Sequence, residues 1–311
     1  MNVMKKLRHI LTLSDLEIEE LRAIFQIAED LKAAYKQGKR EKLLDCKVLG
    51  MIFEKMSLRT RVSFEAGMSH LGGSSMFLED KHVGLGSREA VKDVSHVLSS
   101  MVDCIVYRAK NHKTVEEFAA YSSVPVINAL TDKAHPCQAL ADMLTIREEF
   151  GSFDDVQITW VGDSNNVAAS LIEAAAMLGV HIVISSPDEY QFSKEEIKSL
   201  IQQRQPGFSL EYIDDPKEAV SGARVVYTDV WVSMGQEKEQ KARLETFAPF
   251  QVNAELMSYA RKDAIFMHCL PARRGLEVTD EVIDSPQSRV VQEAENRMHV
   301  QKGLLVWLLQ D

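Results

Sequence analysis

The stretch Val48-Leu49-Gly50-Met51-Ile52-Phe53 is an unbroken apolar run, and Glu54-Lys55-Met56-Ser57-Leu58-Arg59-Thr60-Arg61 follows it into a helix-like segment at 62–71. A six-residue run with no polar alternation reads as a strand buried on both faces, the kind that parallel sheets use. A strand therefore hands over to a helix whose start is rich in donors. The first N–H groups of a helix lack intrahelical acceptors, and the positive end of its dipole lies there. Ser57, Arg59, Thr60 and those N–H groups can converge on a phosphate without a glycine-rich loop. Read alone, the same residues are equally a capped helix with two solvated arginines.

Outward from this stretch the pattern repeats. Short apolar runs at 75–78, 104–107 and 124–127 alternate with helical periodicity near 62–71, 88–101 and 114–121, preceded by a helix that Ser14 and Glu17 cap and Gly38 stops. Pro136 suits the first turn of a helix running to about 150, and a domain boundary falls inside it. Beyond it come strand-like runs at 156–161, 181–185, 208–213, 224–227 and 264–267, and a last helix from 293 to 310. This alternation predicts an α/β protein with two doubly wound parallel sheets, 1–136 and 137–292, and a C-terminal helix, 293–311, returning to the first.

At 311 residues, two cores are the default. The net charge of -10 argues against a broad nucleic-acid surface and leaves room for a local basic pocket, so a small molecule is the expected partner. Lys5, Lys6 and Arg8 imitate an export signal, but Ser14, Asp15, Glu17, Glu19 and Glu20 cut its apolar stretch short. No membrane span is expected. The four cysteines, Cys46, Cys104, Cys137 and Cys269, are far apart and form no Cys-x-x-Cys pair, which speaks against a disulfide framework or zinc site and for a cytoplasmic setting.

The polar residues able to do chemistry follow strand ends: 57–61, Arg108, His135, 163–166, Asp229 and 268–270. Open parallel sheets bind ligands outside their carboxyl ends, which points to one cleft between two domains. His135 and Gln138 share the face of a helix start, where both can donate to a carbonyl oxygen or serve only as cap and solvated side chain. Gly162-Asp163-Ser164-Asn165-Asn166 holds one glycine, so the dinucleotide fingerprint is missing. Its asparagines either cap the helix, or Asn166 binds a ligand carboxylate. Asp229 is either a solvated turn residue or the acceptor for an ammonium. Cys269 is either an inert buried thiol or, near arginines, reactive or hydrogen-bonded to a substrate nitrogen.

Taken together, Ser57-Leu58-Arg59-Thr60-Arg61, His135-Pro136-Cys137-Gln138, His268-Cys269-Leu270-Pro271 and Glu293-Ala294-Glu295-Asn296-Arg297 resemble the aspartate/ornithine carbamoyltransferase family, in motif order. The likeness runs from about residue 7 to the end, and Asp229-Val230-Trp231-Val232-Ser233-Met234-Gly235 narrows it to the branch that uses ornithine. The resemblance implies transfer of the carbamoyl group from carbamoyl phosphate to the δ-amine of L-ornithine, giving L-citrulline and phosphate in arginine metabolism. It implies that Ser57, Leu58, Arg59, Thr60 and Arg108 hold the phosphate, and that His135, Gln138, Cys269, Leu270 and Arg297 surround the carbamoyl group. Arg108, His135 and Cys269 are the catalytic residues on this reading. Asn166 and the Met234 backbone take the α-carboxylate, and Asp229 and Ser233 take the α-ammonium. Neither metal nor organic cofactor is implied.

The same resemblance implies a homotrimer in which loop 79–88 enters a neighbour's site, with Lys81 and His82 as candidates. Met56 departs from the proline often found there in the family. Putrescine has no carboxylate for Asn166, acetylornithine no ammonium for Asp229, and aspartate requires cations where Asp229 stands. A non-catalytic amino-acid or partner-binding homologue should have lost some of these ligands, and none is lost here.

Overall fold

The computed structural model describes residues 7–79, 83–85, 88–232 and 239–310. The chain divides into two compact units. Unit 1 runs to Ala141 and takes in the segment from Glu295, and unit 2 is Asp142–Ala294.

Unit 1 holds a parallel sheet in the order β2-β1-β3-β4, with β1 Val48–Phe53, β2 Ser74–Glu79, β3 Cys104–Arg108 and β4 Val126–Leu130. Around it lie α1 Ile18–Lys36, α2 Leu58–His70, α3 Val91–Ser99 and α4 His112–Tyr121. β1 appears residue for residue where its apolar run predicts it, and five of its six residues are buried, as a central strand covered on both faces requires. The fourth strand begins two residues later than the run at 124–127, because Pro125 has no N–H for the ladder. The segment before α1 covers the free edge of β4: the Ile10 N–H donates to Val126 at 2.8 Å, and the Asn128 N–H to Ile10 at 2.8 Å.

The helix start expected at Ser14 is displaced. A 3-10 turn, Leu13–Asp15, occupies that place, where the Asp15 carboxylate accepts the N–H groups of Leu11 and Thr12 at 2.7 and 2.9 Å. Glu17 then caps α1, its N–H donating to the Glu20 carboxylate at 2.8 Å, and Arg8 holds the same carboxylate at 2.7 Å. Gly38, with φ of 79°, supplies the left-handed residue that ends this helix.

Unit 2 has the order β7-β6-β5-β8-β9, all parallel, with β5 Gln157–Val161, β6 His181–Ser185, β7 Ser209–Tyr212, β8 Val225–Tyr227 and β9 Ile265–Met267. Two long helices, α5 Pro136–Phe150 and α12 Val290–Leu309, each belong in part to both units. Between them, α6 Asn166–Leu178, α7 Lys194–Leu200, α8 Pro216–Ala219, α9 Gln240–Phe247, α10 Ala254–Tyr259 and α11 Asp280–Ile283 clothe the second sheet. In each sheet the strand order reverses once, between β1 and β3 in unit 1 and between β5 and β8 in unit 2, and such switch points open a crevice at the strand carboxyl ends. Within unit 1, the late part of α12 lies so close to α1 that a Cβ on Gly303 would stand 2.6 Å from the Ile24 carbonyl oxygen.

Candidate active site

In unit 1 the polar residues gather at the β1/β3 switch point. Ser57 caps α2 in extended conformation, its hydroxyl oxygen accepting the Thr60 N–H at 3.3 Å while its O–H donates to the Thr60 hydroxyl at 3.0 Å. The N–H groups of Leu58 and Arg59 precede the first helical acceptor and point out of the helix start. Since the Leu58 side chain is 73% exposed, the backbone is what this residue can offer an anion. Arg59 is partly buried beside it.

Arg297, itself buried, donates to the Thr60 hydroxyl and to the Gln138 side-chain oxygen, both at 2.8 Å. A guanidinium only donates, so this contact fixes which end of the Gln138 amide is the oxygen. Arg108 ends β3 and is also buried; its backbone carbonyl accepts the Glu54 N–H at 2.9 Å, and the β3/β4 register shifts there. Glu54 is in turn held by the Tyr107 hydroxyl at 2.6 Å and the Lys110 N–H at 3.0 Å. The Lys55 ammonium is brought below its ordinary range by partial burial and then by Arg108, a sign of how much positive charge collects here.

His135 precedes α5 and is 4% exposed, its carbonyl accepting the Ala139 N–H at 3.3 Å. Burial first, then Arg297 and Arg108, holds its imidazole well below the usual histidine range. It is a neutral ring at neutral pH, with one N–H to donate.

In unit 2 the β5/β8 switch point brings together residues that the sequence keeps far apart. Gly162, with φ of 132°, turns the chain out of β5 where a side chain would press on Thr228 and Trp231. Asn165 caps α6, its oxygen accepting the N–H groups of Val167 and Ala168 at 2.9 and 3.2 Å, and its amide donates to Asp229 at 2.8 Å. Asn166 is the first residue of α6 and partly buried. Asp163 pairs with the buried Arg243 at 2.5 Å, yet burial outweighs that partner and raises its carboxyl to about 6.

Asp229 is 7% exposed, and its second oxygen accepts the Cys269 S–H at 3.2 Å. Burial, then Asp229 and Glu293, pushes the Cys269 thiol far above its normal range. Its partner within unit 2 is the Asp229 carboxylate, beside which the thiol is a neutral S–H donor. Leu270 follows in left-handed conformation, φ 56°, its N–H donating to the His268 ring nitrogen Nδ1 at 2.9 Å. Ser233 and Met234 lie outside the described residues, as do Lys81 and His82.

Among the described residues, Asp229, His268 and Cys269 bring ligand atoms within 4.8 Å of one another. The His268 ring does not suit a metal: Nδ1 accepts the Leu270 N–H, which puts the proton on Nε2, 3.2 Å from the Glu277 carboxylate. Sequence reasoning missed three participants. Asn165 was legible as a helix cap but not as the partner of Asp229; Glu293 was legible only as the first residue of the Glu293–Arg297 motif, and the buried Asp142 gave no signal beyond its helical spacing.

Comparison with known proteins identifies the family. Residues 8–148 match the family model described as the aspartate/ornithine carbamoyltransferase carbamoyl-P binding domain, and residues 154–308 match the Asp/Orn binding domain of the same family. The chain is 48% identical to the ornithine carbamoyltransferase of Archaeoglobus fulgidus, over 97% of this chain and 98% of that one. It is 50% identical to that of Bacillus subtilis, over 97% and 94%. The solved ornithine carbamoyltransferase of Pyrococcus furiosus superposes with a TM-score of 0.93 at 48% identity, covering 97% of each chain.

Proposed function

The chain belongs to the aspartate/ornithine carbamoyltransferase family, and we propose that it transfers the carbamoyl group of carbamoyl phosphate to the δ-amine of L-ornithine, releasing L-citrulline and phosphate. The observation that carries the choice of amino acid is Asp229: a buried carboxylate, held by the Asn165 amide and the Cys269 thiol, stands where an α-ammonium can be received. Ser57, Leu58, Arg59, Thr60 and Arg108 bind the phosphate through the α2 start and two guanidinium groups. His135, Gln138, Arg297, Cys269 and Leu270 serve the carbamoyl group. Asn166 and Met234 serve the α-carboxylate, and Ser233 joins Asp229 at the ammonium.

As the amine attacks the carbonyl carbon, negative charge grows on the carbonyl oxygen and then passes to the leaving phosphate. Donors from Arg108, His135 and Thr60 offset the first, and Arg59 the second. A neutral His135 loses no proton in this role; it lends an N–H. The δ-amine must shed its proton before it attacks, which removal from water favours. A citrulline assay comparing ornithine, putrescine, acetylornithine and aspartate tests the reading. Preference for any acceptor other than ornithine would overturn it.

We also infer a homotrimer in which loop 79–88 reaches a neighbouring copy. The large exposed apolar side chains of unit 1, Met56, Val62, Met76, Val97 and Met101, support self-association, and β2 leads into that loop from the sheet edge. A monomeric mass at working concentration would remove this inference. No helix among the described residues is long and apolar enough to cross a membrane. The free cysteines support a reducing, cytoplasmic setting.

A further inference from the structure

Glu293 lies fully buried in α12, and its two oxygens serve two different strand ends. One accepts the Tyr227 hydroxyl at 3.0 Å, and the other accepts the His268 backbone N–H at 3.0 Å. Tyr227 is the last residue of β8, two positions before Asp229, and His268 is the residue before Cys269. A single carboxylate thus grips the backbone or side chain beside each member of the Asp229–Cys269 pair.

Burial, then the fully buried acid Asp142, pushes Glu293 well above the usual carboxylate range, and burial pushes Tyr227 well above that of a phenol, so it remains a donor.

The ladder alone gives these strand ends little support. β8 and β9 are three residues each, and the hydrogen bond that follows them, Thr228 N–H to the Met267 carbonyl, is long at 3.3 Å. The left-handed Leu270 persists only if its surroundings over-determine it, and His268 provides that by accepting the Leu270 N–H while Glu277 holds its other nitrogen. The segment carrying Cys269 hangs from two buried acids, and one of them also sets the end of the strand carrying Asp229.

We propose that Glu293 is a positioning residue for the Asp229–Cys269 pair. The proposal rests on the reading above that Asp229 and Cys269 serve the amino-acid substrate.

The full chain carrying Glu293→Gln or Tyr227→Phe tests it. Three things are measured: kcat and KM for each substrate, the pH profile of alkylation at Cys269 read by site-resolved mass spectrometry, and cooperativity of melting. A glutamine has one oxygen for two donors, so kcat should fall about tenfold or more with KM for carbamoyl phosphate within about twofold, and Cys269 alkylation should change by about threefold or more. Tyr227→Phe, which releases one of the two contacts of Glu293, should lower kcat by about threefold or more. Glu293→Gln with unchanged kcat and unchanged alkylation overturns the positioning role. If Glu293→Gln does not melt cooperatively, Tyr227→Phe decides, and unchanged kcat and alkylation there overturn it. If the unmutated protein makes no citrulline, the functional reading fails separately, and the alkylation profiles still report on position.

Discussion

The Asn165 side chain joins the start of α6 to Asp229: its oxygen accepts two helix N–H groups and its nitrogen donates to the carboxylate at 2.8 Å. The acid is thereby aimed by a helix cap and not by a flexible turn. We predict that Asp229→Asn, which keeps the shape and removes the charge, lowers kcat/KM for ornithine by about a hundredfold, on the order of 3 kcal/mol. KM for carbamoyl phosphate should be nearly unchanged. Steady-state kinetics with each substrate varied separates the two, and full retention of ornithine activity would remove Asp229 from the amine site.

His135 should act as a neutral donor. We predict that His135→Ala lowers kcat by about a hundredfold while melting stays cooperative. Its depressed pKa also has a sign: the unfolded chain binds a proton that the native ring refuses, so stability falls as pH drops below about 6.5, and the alanine variant should lose that part of the acid sensitivity. Equal losses of activity and stability would make it a capping residue only.

Lys302 is 2% exposed, its ammonium 5.3 Å from the Tyr35 ring, and burial together with Arg40 brings it from 10.5 down to about 8. Between those values the unfolded chain binds more protons than the native one, so stability should rise with pH across that window; below about 8 the full cost of the buried charge is present. We predict that Lys302→Met is the more stable form at pH 7, by on the order of 1–2 kcal/mol after discounting for solvent screening, and that the difference shrinks toward pH 10.5. Chemical denaturation of both forms at several pH values checks this, and a pH-independent difference would refute it.

Gly303 has no room for a methyl group, with the Ile24 carbonyl oxygen 2.6 Å and the Ala28 Cβ 3.0 Å from where it would sit. We predict that Gly303→Ala costs about 1–3 kcal/mol despite alanine's better helix propensity. A melting temperature equal to or above the parent's would show that α1 and α12 can separate without loss.

Much of this was legible because it is local. The run at 48–53 is apolar throughout and became β1 unchanged, and Ser57, next to it, became the cap of the helix that follows. The start of α1 was misplaced because Asp15 and Arg8 decide it, one by capturing N–H groups before it and the other by clamping Glu20 from twelve residues away. The link between Asn165 and Asp229 was not readable at all. It spans 64 residues and exists because the strand order sets β5 beside β8, a fact of sheet topology and not of any motif. Glu293 was visible as the first residue of a motif, but its burial and its grip on Tyr227 and His268 were not, since an acid within a helical pattern looks solvated until the tertiary structure buries it.

Unit 1 borrows its last helix from the far end of the chain, and Arg297 on that helix is what ties Thr60 to Gln138. Every residue of the β1–β4 sheet and of unit 2 is therefore synthesised before that arginine, so the tie between Thr60 and Gln138 can form only once nearly the whole chain has been made. Chains that stall or are clipped before residue 297 keep Thr60 and Gln138 but lack the arginine that joins them.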